Sequence, residues 1–103
     1  METTQKVKVY LSGAISGNKN FLQDFKDGEE RVKKIFESSN KDIVILNPAI
    51  FPHGLTQCEY MLLSIIMIDM CDWVVCLPNH ENSEGSAVEV AYAKKCGKSV
   101  MNL

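Results

Sequence analysis

The residues best equipped for chemistry lie in two loops rich in small side chains. Ser83-Glu84-Gly85-Ser86-Ala87-Val88-Glu89 runs out of a polar stretch into a helical pattern. Ser83 suits an N-cap, and Gly85 and Ser86 leave backbone donors open at a helix start, where the partial positive charge favours an anion such as phosphate. Glu89 falls in the first turn or just beyond it, and there the dipole favours its ionised form. An ionised carboxylate facing a sugar can attack the anomeric carbon and form a covalent glycosyl–enzyme intermediate. Acidic residues also gather near helix starts for the dipole alone, so spacing by itself leaves Glu89 either role. The other loop, Ser12-Gly13-Ala14-Ile15-Ser16-Gly17, follows a β-prone run. Its small residues let a ligand approach the backbone, whose N–H groups can hold an anion. It is neither GxGxxG nor a P-loop, and it reads equally as a tight βα turn. Tyr10, just before it, is placed either to wall a pocket or to pack within a sheet.

These loops need elements to hold them. Residues 7–11 alternate and predict a first strand, and residues 20–38 predict an amphipathic helix carrying Phe21, Leu22, Phe25, Val32, Ile35 and Phe36, with Gly28 a weak point inside it. A turn at Asn40-Lys41-Asp42 leads to Ile43-Val44-Ile45-Leu46, a continuous apolar run expected as a strand buried on both faces. Asn47-Pro48 ends it. Thr56 with Glu59 forms a capping box for a helix to about Met70, whose Leu62, Leu63, Ile65, Ile66, Met67 and Ile68 cover nearly the whole circumference. Such a helix needs cover on more than one side, and residues 60–70 are expected to meet a second copy in a homodimer or higher homo-oligomer. Residues 73–77 predict a third strand, about 85–96 a last helix capped by Gly97, and 99–101 a short final strand. This β-α-β-α-β-α-β order predicts an α/β fold. It is a small parallel sheet of about four to five strands flanked by helices, a Rossmann/flavodoxin-like three-layer sandwich. Ligands of such sheets bind at the carboxyl ends of the strands, the edge on which the loops beginning at Ser12, Asn47 and Pro78 lie.

The 103 residues fit one domain, 1–103, and a chain this small gains from pairing. A net charge of −2 argues against a nucleic acid polymer as partner, though not against a small anion. The polar start, Met1 to Gln5, has no signal-peptide character, and no apolar run is long enough to span a membrane. Cys58, Cys71, Cys76 and Cys96, at spacings of 13, 5 and 20, form no zinc pattern and read as reduced thiols of a cytoplasmic protein. Nothing in the sequence calls for a metal or an organic cofactor.

Four pieces, in order, carry a family resemblance: Tyr10 to Gly17, Asn47-Pro48, Met67 to Asp72, and Ser83 to Glu89 with Ala91-Tyr92-Ala93. Together, across about residues 7–101, they resemble the nucleoside 2-deoxyribosyltransferase superfamily and its small DUF4406-type branch. The GxIxG and SxGxxxE spacings are also those of the deoxynucleoside 5′-monophosphate N-glycosidases. The resemblance implies cleavage of the N-glycosidic bond of a 2′-deoxynucleoside or its 5′-monophosphate, by water or by transfer to a second base. It places Glu89 as nucleophile, Ser83 and Gly85 at the 5′-phosphate, and Gly13, Ile15 and Gly17 beneath base and sugar. Related enzymes place an Asp in the helix before the third strand to protonate the departing base, and this chain has Ser64 there. Asp69 lies roughly 7 Å farther down that helix than Ser64, and Asp72 lies at the start of the third strand, at the wrong end for the site. His53, a residue type suited to proton transfer near neutrality, and Glu59 are the better-placed substitutes, and His80 is a further loop residue that either stacks on a base or is solvated. Loss of the acid leaves a second reading open, a non-catalytic nucleotide-binding or sequestering module.

Overall fold

Alternation along the first strand sets up two cores. In the computed structural model, which describes residues 6–39 and 41–103, β1 (Lys6–Ser12) sends Val7, Val9 and Leu11 to one side and Tyr10 and Ser12 to the other. The first side packs under α1 (Phe21–Phe36), whose Phe25, Gly28 and Val32 are buried. The second meets Ile68 of α2 (Gln57–Met70) and Ala93 of α3 (Glu84–Lys95). Residues 1–5 and Asn40, the first residue of the expected turn, lie outside the described residues. Leu22 and Ile35, read as part of the apolar stripe of α1, are 65% and 45% exposed because they fall beside the Phe25–Val32 face.

The sheet holds four parallel strands in the order β2-β1-β3-β4, with β2 spanning Asp42–Leu46, β3 Trp73–Cys76 and β4 Ser99–Asn102. It is the expected three-layer α/β arrangement, with α1 on one face and α2 and α3 on the other. Strand order reverses between β1 and β3, so the connections leaving those two strands part toward opposite faces and open a crevice at their carboxyl ends. The expectation of a second strand buried on both faces is not met. β2 is an edge strand, and Val44 is 37% exposed because α2 and α3 cover β1 and β3 instead.

Local signals place the helices where the sequence puts them. Thr56 and Glu59 form the reciprocal capping box, the Thr56 hydroxyl accepting from Glu59 N and the Glu59 carboxylate from Thr56 N. Gly97 closes α3 at φ +76°, a left-handed position that glycine takes without steric cost. α2 is less covered than its composition demands. Only Ser64 and Ile68 are buried, while Leu62, Ile66 and Met70 stay 63%, 57% and 50% exposed.

Gly28, read from sequence as a weak point, is where α1 can lie against β3. A Cβ there would overlap Cδ2 of Leu77, and one on Gly13 would stand 2.9 Å from its Cδ1. Leu77 is fully buried between the two glycines. Gly28→Ala is therefore expected to destabilise by about 1–3 kcal/mol through overpacking. In an exposed helix the same change would stabilise by about 1 kcal/mol. A lowered urea midpoint is the expected result.

Candidate active site

The crevice between the ends of β1 and β3 is built on one buried carboxylate. Ser83 N-caps α3, its hydroxyl accepting from Ser86 N at 3.0 Å. Two turns of helix then carry Glu89 back over the end of β1. There Tyr10 Oη donates to Glu89 Oε2 at 2.9 Å and Ser12 Oγ donates to Oε1 at 2.7 Å. The Ser12 hydroxyl also meets that of Ser86. Tyr10, Ser12 and Ser86 are almost completely inaccessible, and Glu89 keeps 7% of its surface.

Burial pushes the Glu89 carboxyl above the ordinary carboxylate range, and hydrogen bonds from Ser12, Tyr10 and Ser64 pull part of the way back. The expected dipole effect does not prevail, since Glu89 is the sixth residue of α3 and past its first turn. Burial, then the neighbouring Glu89 charge, pushes the Tyr10 phenol far up, so it remains a donor. Cys76 is raised by the same two causes.

Glu89 looks into a cavity of about 690 Å³, within the range of small-molecule sites. The loop after β1 contributes Gly13, Ile15 and Ser16, and the start of α3 contributes Ser83, Glu84, Gly85 and Ser86. The far wall is Phe51, His53, Tyr60 and Met61. Phe51 and Tyr60 stack with centroids 6.5 Å apart and an interplanar angle of 16°, and Tyr60 Oη donates to Pro52 O. Gln57 Nε2 reaches Ser16 Oγ across the rim at 3.3 Å. On the opposite side Asp24, in the first turn of α1, accepts from Asn18 Nδ2 and Asn79 Nδ2, each at 3.0 Å. Asn79 Oδ1 also takes Ala14 N, so the loops after β1 and β3 are fastened to one carboxylate. Two smaller depressions, of about 480 and 410 Å³, lie beside α1 and beside β4, and neither includes Glu89.

A family profile described as "Domain of unknown function (DUF4406)" matches residues 7–102. The chain belongs to the DUF4406 family. Among solved structures it is similar in fold to the CMP N-glycosidase BcmB of Clostridium botulinum, with a TM-score of 0.56 and 19% identity over 92% of this chain and 69% of that one. No curated protein matches its sequence.

In this DUF4406 domain Tyr10, Gly13, Ile15, His53, Ser83, Gly85, Ser86 and Glu89 all border the cavity. Ser12 lies beneath it, reaching it only through Glu89. Gly17 sits outside the lining, in the turn toward α1. Glu59 is also outside, its carboxylate engaged with Thr56 N in the capping box, which removes the geometric ground for it as proton donor. His80 points elsewhere, Nδ1 lying 2.8 Å from Leu77 O, and it borders the 410 Å³ depression. Asp69 and Asp72 serve the far edge, where Asp69 accepts from Tyr92 Oη and Asp72 from Lys8 N. Sequence reasoning missed the Phe51–Tyr60 wall, although two aromatics flanking a Pro-Gly loop were there to see. It also missed the Asn18–Asp24–Asn79 bridge, for which no local signal exists.

The raised carboxyl has a thermodynamic signature. A group whose pKa is higher folded than unfolded gives stability that is fully present below the unfolded value, near 4.5, and lost as pH rises through the folded value. Glu89→Gln lacks this loss. It is expected to gain on wild type as pH rises from 4.5 toward neutrality in urea titrations across pH.

Proposed function

We propose that this protein cleaves the N-glycosidic bond of a 2′-deoxynucleoside or its 5′-monophosphate, with Glu89 as nucleophile, as a member of the nucleoside 2-deoxyribosyltransferase superfamily. The observation that carries the reading is a buried carboxylate at the strand-order reversal, steadied on both oxygens by hydroxyls of β1 and open to a cavity of nucleoside size. A Glu89 oxygen attacks C1′, the C1′–N bond breaks, and its electron pair leaves with the base, which takes up a proton. Water or a second base then attacks C1′ and releases Glu89, giving hydrolysis or transfer. His53 borders the cavity and is our choice for the proton donor. The fold likeness to a CMP N-glycosidase supports the chemistry.

One observation favours the second reading, a non-catalytic nucleotide-binding or sequestering module. Where related enzymes place an acid, Ser64 stands almost buried in the lining, and a hydroxyl protonates a departing base poorly. Incubation with deoxynucleosides and their monophosphates decides between the two. The enzyme releases free base, and Glu89→Ala lowers that rate by about 10³-fold or more while leaving the circular dichroism spectrum unchanged. Because attack needs the ionised carboxylate and burial raises its pKa, the wild-type rate falls on acidification at a higher pH than for an ordinary glutamate. Ligand binding without base release in the wild type selects the sequestering module.

We also propose that residues 1–103 act as one domain in the cytoplasm and that a second copy covers the Leu62–Ile66–Met70 stripe. Among the described residues no helix is long and apolar enough to cross a membrane. The three side chains recur every fourth residue along one line of α2, and Val88 of α3, 49% exposed, is a further uncovered apolar side chain. Sedimentation at micromolar concentration is expected to show a dimer or larger species, and Ile66→Glu a monomer.

A further inference from the structure

We propose that the ligand of this cleft is the uncharged deoxynucleoside rather than its 5′-monophosphate, and that Glu84 is the residue that disfavours phosphate. This rests on the glycosidic reading of the cavity and narrows it. All eleven lysines and arginines of the chain lie among the described residues, and none borders the cavity. Its ionisable lining consists of Glu84, Glu89, His53 and the two tyrosines.

The feature best suited to attract an anion is the start of α3, and it is partly committed. Ser86 N–H is taken by the Ser83 hydroxyl. Glu84 occupies the first helical position, where its own negative charge answers the helix dipole. A phosphate monoester brings about −1.5 to −2 charges at neutral pH. Placed here it would face Glu84 and, in the reactive state, ionised Glu89, with no cation to offset either. Ser16, Gln57, Asn82 and Ser83 line the cavity with neutral donors and acceptors, which suit sugar hydroxyls and the edge of a base.

The test is a parallel measurement of base release and of equilibrium binding with wild-type protein, using each of the four deoxynucleosides and its 5′-monophosphate. The nucleoside is expected to be favoured by about tenfold or more in kcat/KM and in affinity, the scale of repulsion between a dianion and one carboxylate across a few ångströms of water. Raising salt from about 20 to about 300 mM should screen that repulsion and narrow the gap. Glu84→Gln should narrow it further by improving the monophosphate. Equal or better use of the monophosphate overturns the inference while the glycosidase reading stands. Preferential nucleoside binding with no base release upholds it and removes the glycosidase. Failure of both ligands to bind removes both.

Discussion

A charged or chargeable carboxylate can sit inside a protein only if its oxygens are provided for. In this molecule that constraint organises the site. Glu89 needs donors on both oxygens, and they come from Tyr10 and Ser12 of the same strand, two residues apart and so on the same face of the sheet. A one-residue slip of β1 would turn both hydroxyls toward α1 and offer Glu89 the side chains of Val9 and Leu11 instead. The parallel pairing of Tyr10 with Val74 and Ser12 with Cys76 holds that register. The central strand pair thus fixes the electrostatics of the crevice as well as its position.

The cavity built around this carboxylate has two unlike walls. One is made by the loops after β1 and β3, which are joined through Asn18, Asn79 and Asp24 to the first turn of α1. The other is the Phe51–Tyr60 pair at the start of α2, steadied by its own stacking and by the Tyr60 bond to Pro52. Ser16, Asn82 and Ser83 stand on the first side and the Phe51–Tyr60 rings on the second, an arrangement that suits a ligand carrying both a sugar and a flat ring.

Much of this was legible in the sequence where the signal is local. Alternation at Val7 to Leu11, the Thr56/Glu59 box, Ser83 as cap and Gly97 as terminator each act over four or five residues, and each appears where the pattern puts it. What local pattern could not give was what lies across from a residue. Ile43 to Leu46 reads as a fully buried strand because composition is silent on strand order, and order makes β2 an edge. The apolar circumference of α2 signals burial, yet among the described residues of one copy nothing covers Leu62 and Ile66. Glu89 was singled out by its type and spacing. The direction of its pKa depends on Tyr10, Ser12 and Ser64, residues 79, 77 and 25 positions away, and could not be read from the helix alone.

The Leu77 side chain, enclosed by Gly13 on one side and Gly28 on the other, has a consequence for how such a chain can diverge. Three residues from three separate stretches share a single volume, so none can enlarge independently of the others. A lineage that acquires a side chain at 28 must give up branches at 77, and the loop carrying residue 13 would then be free to grow as well. Among descendants of this sequence these positions should drift together, with the bulk migrating between them and its sum preserved.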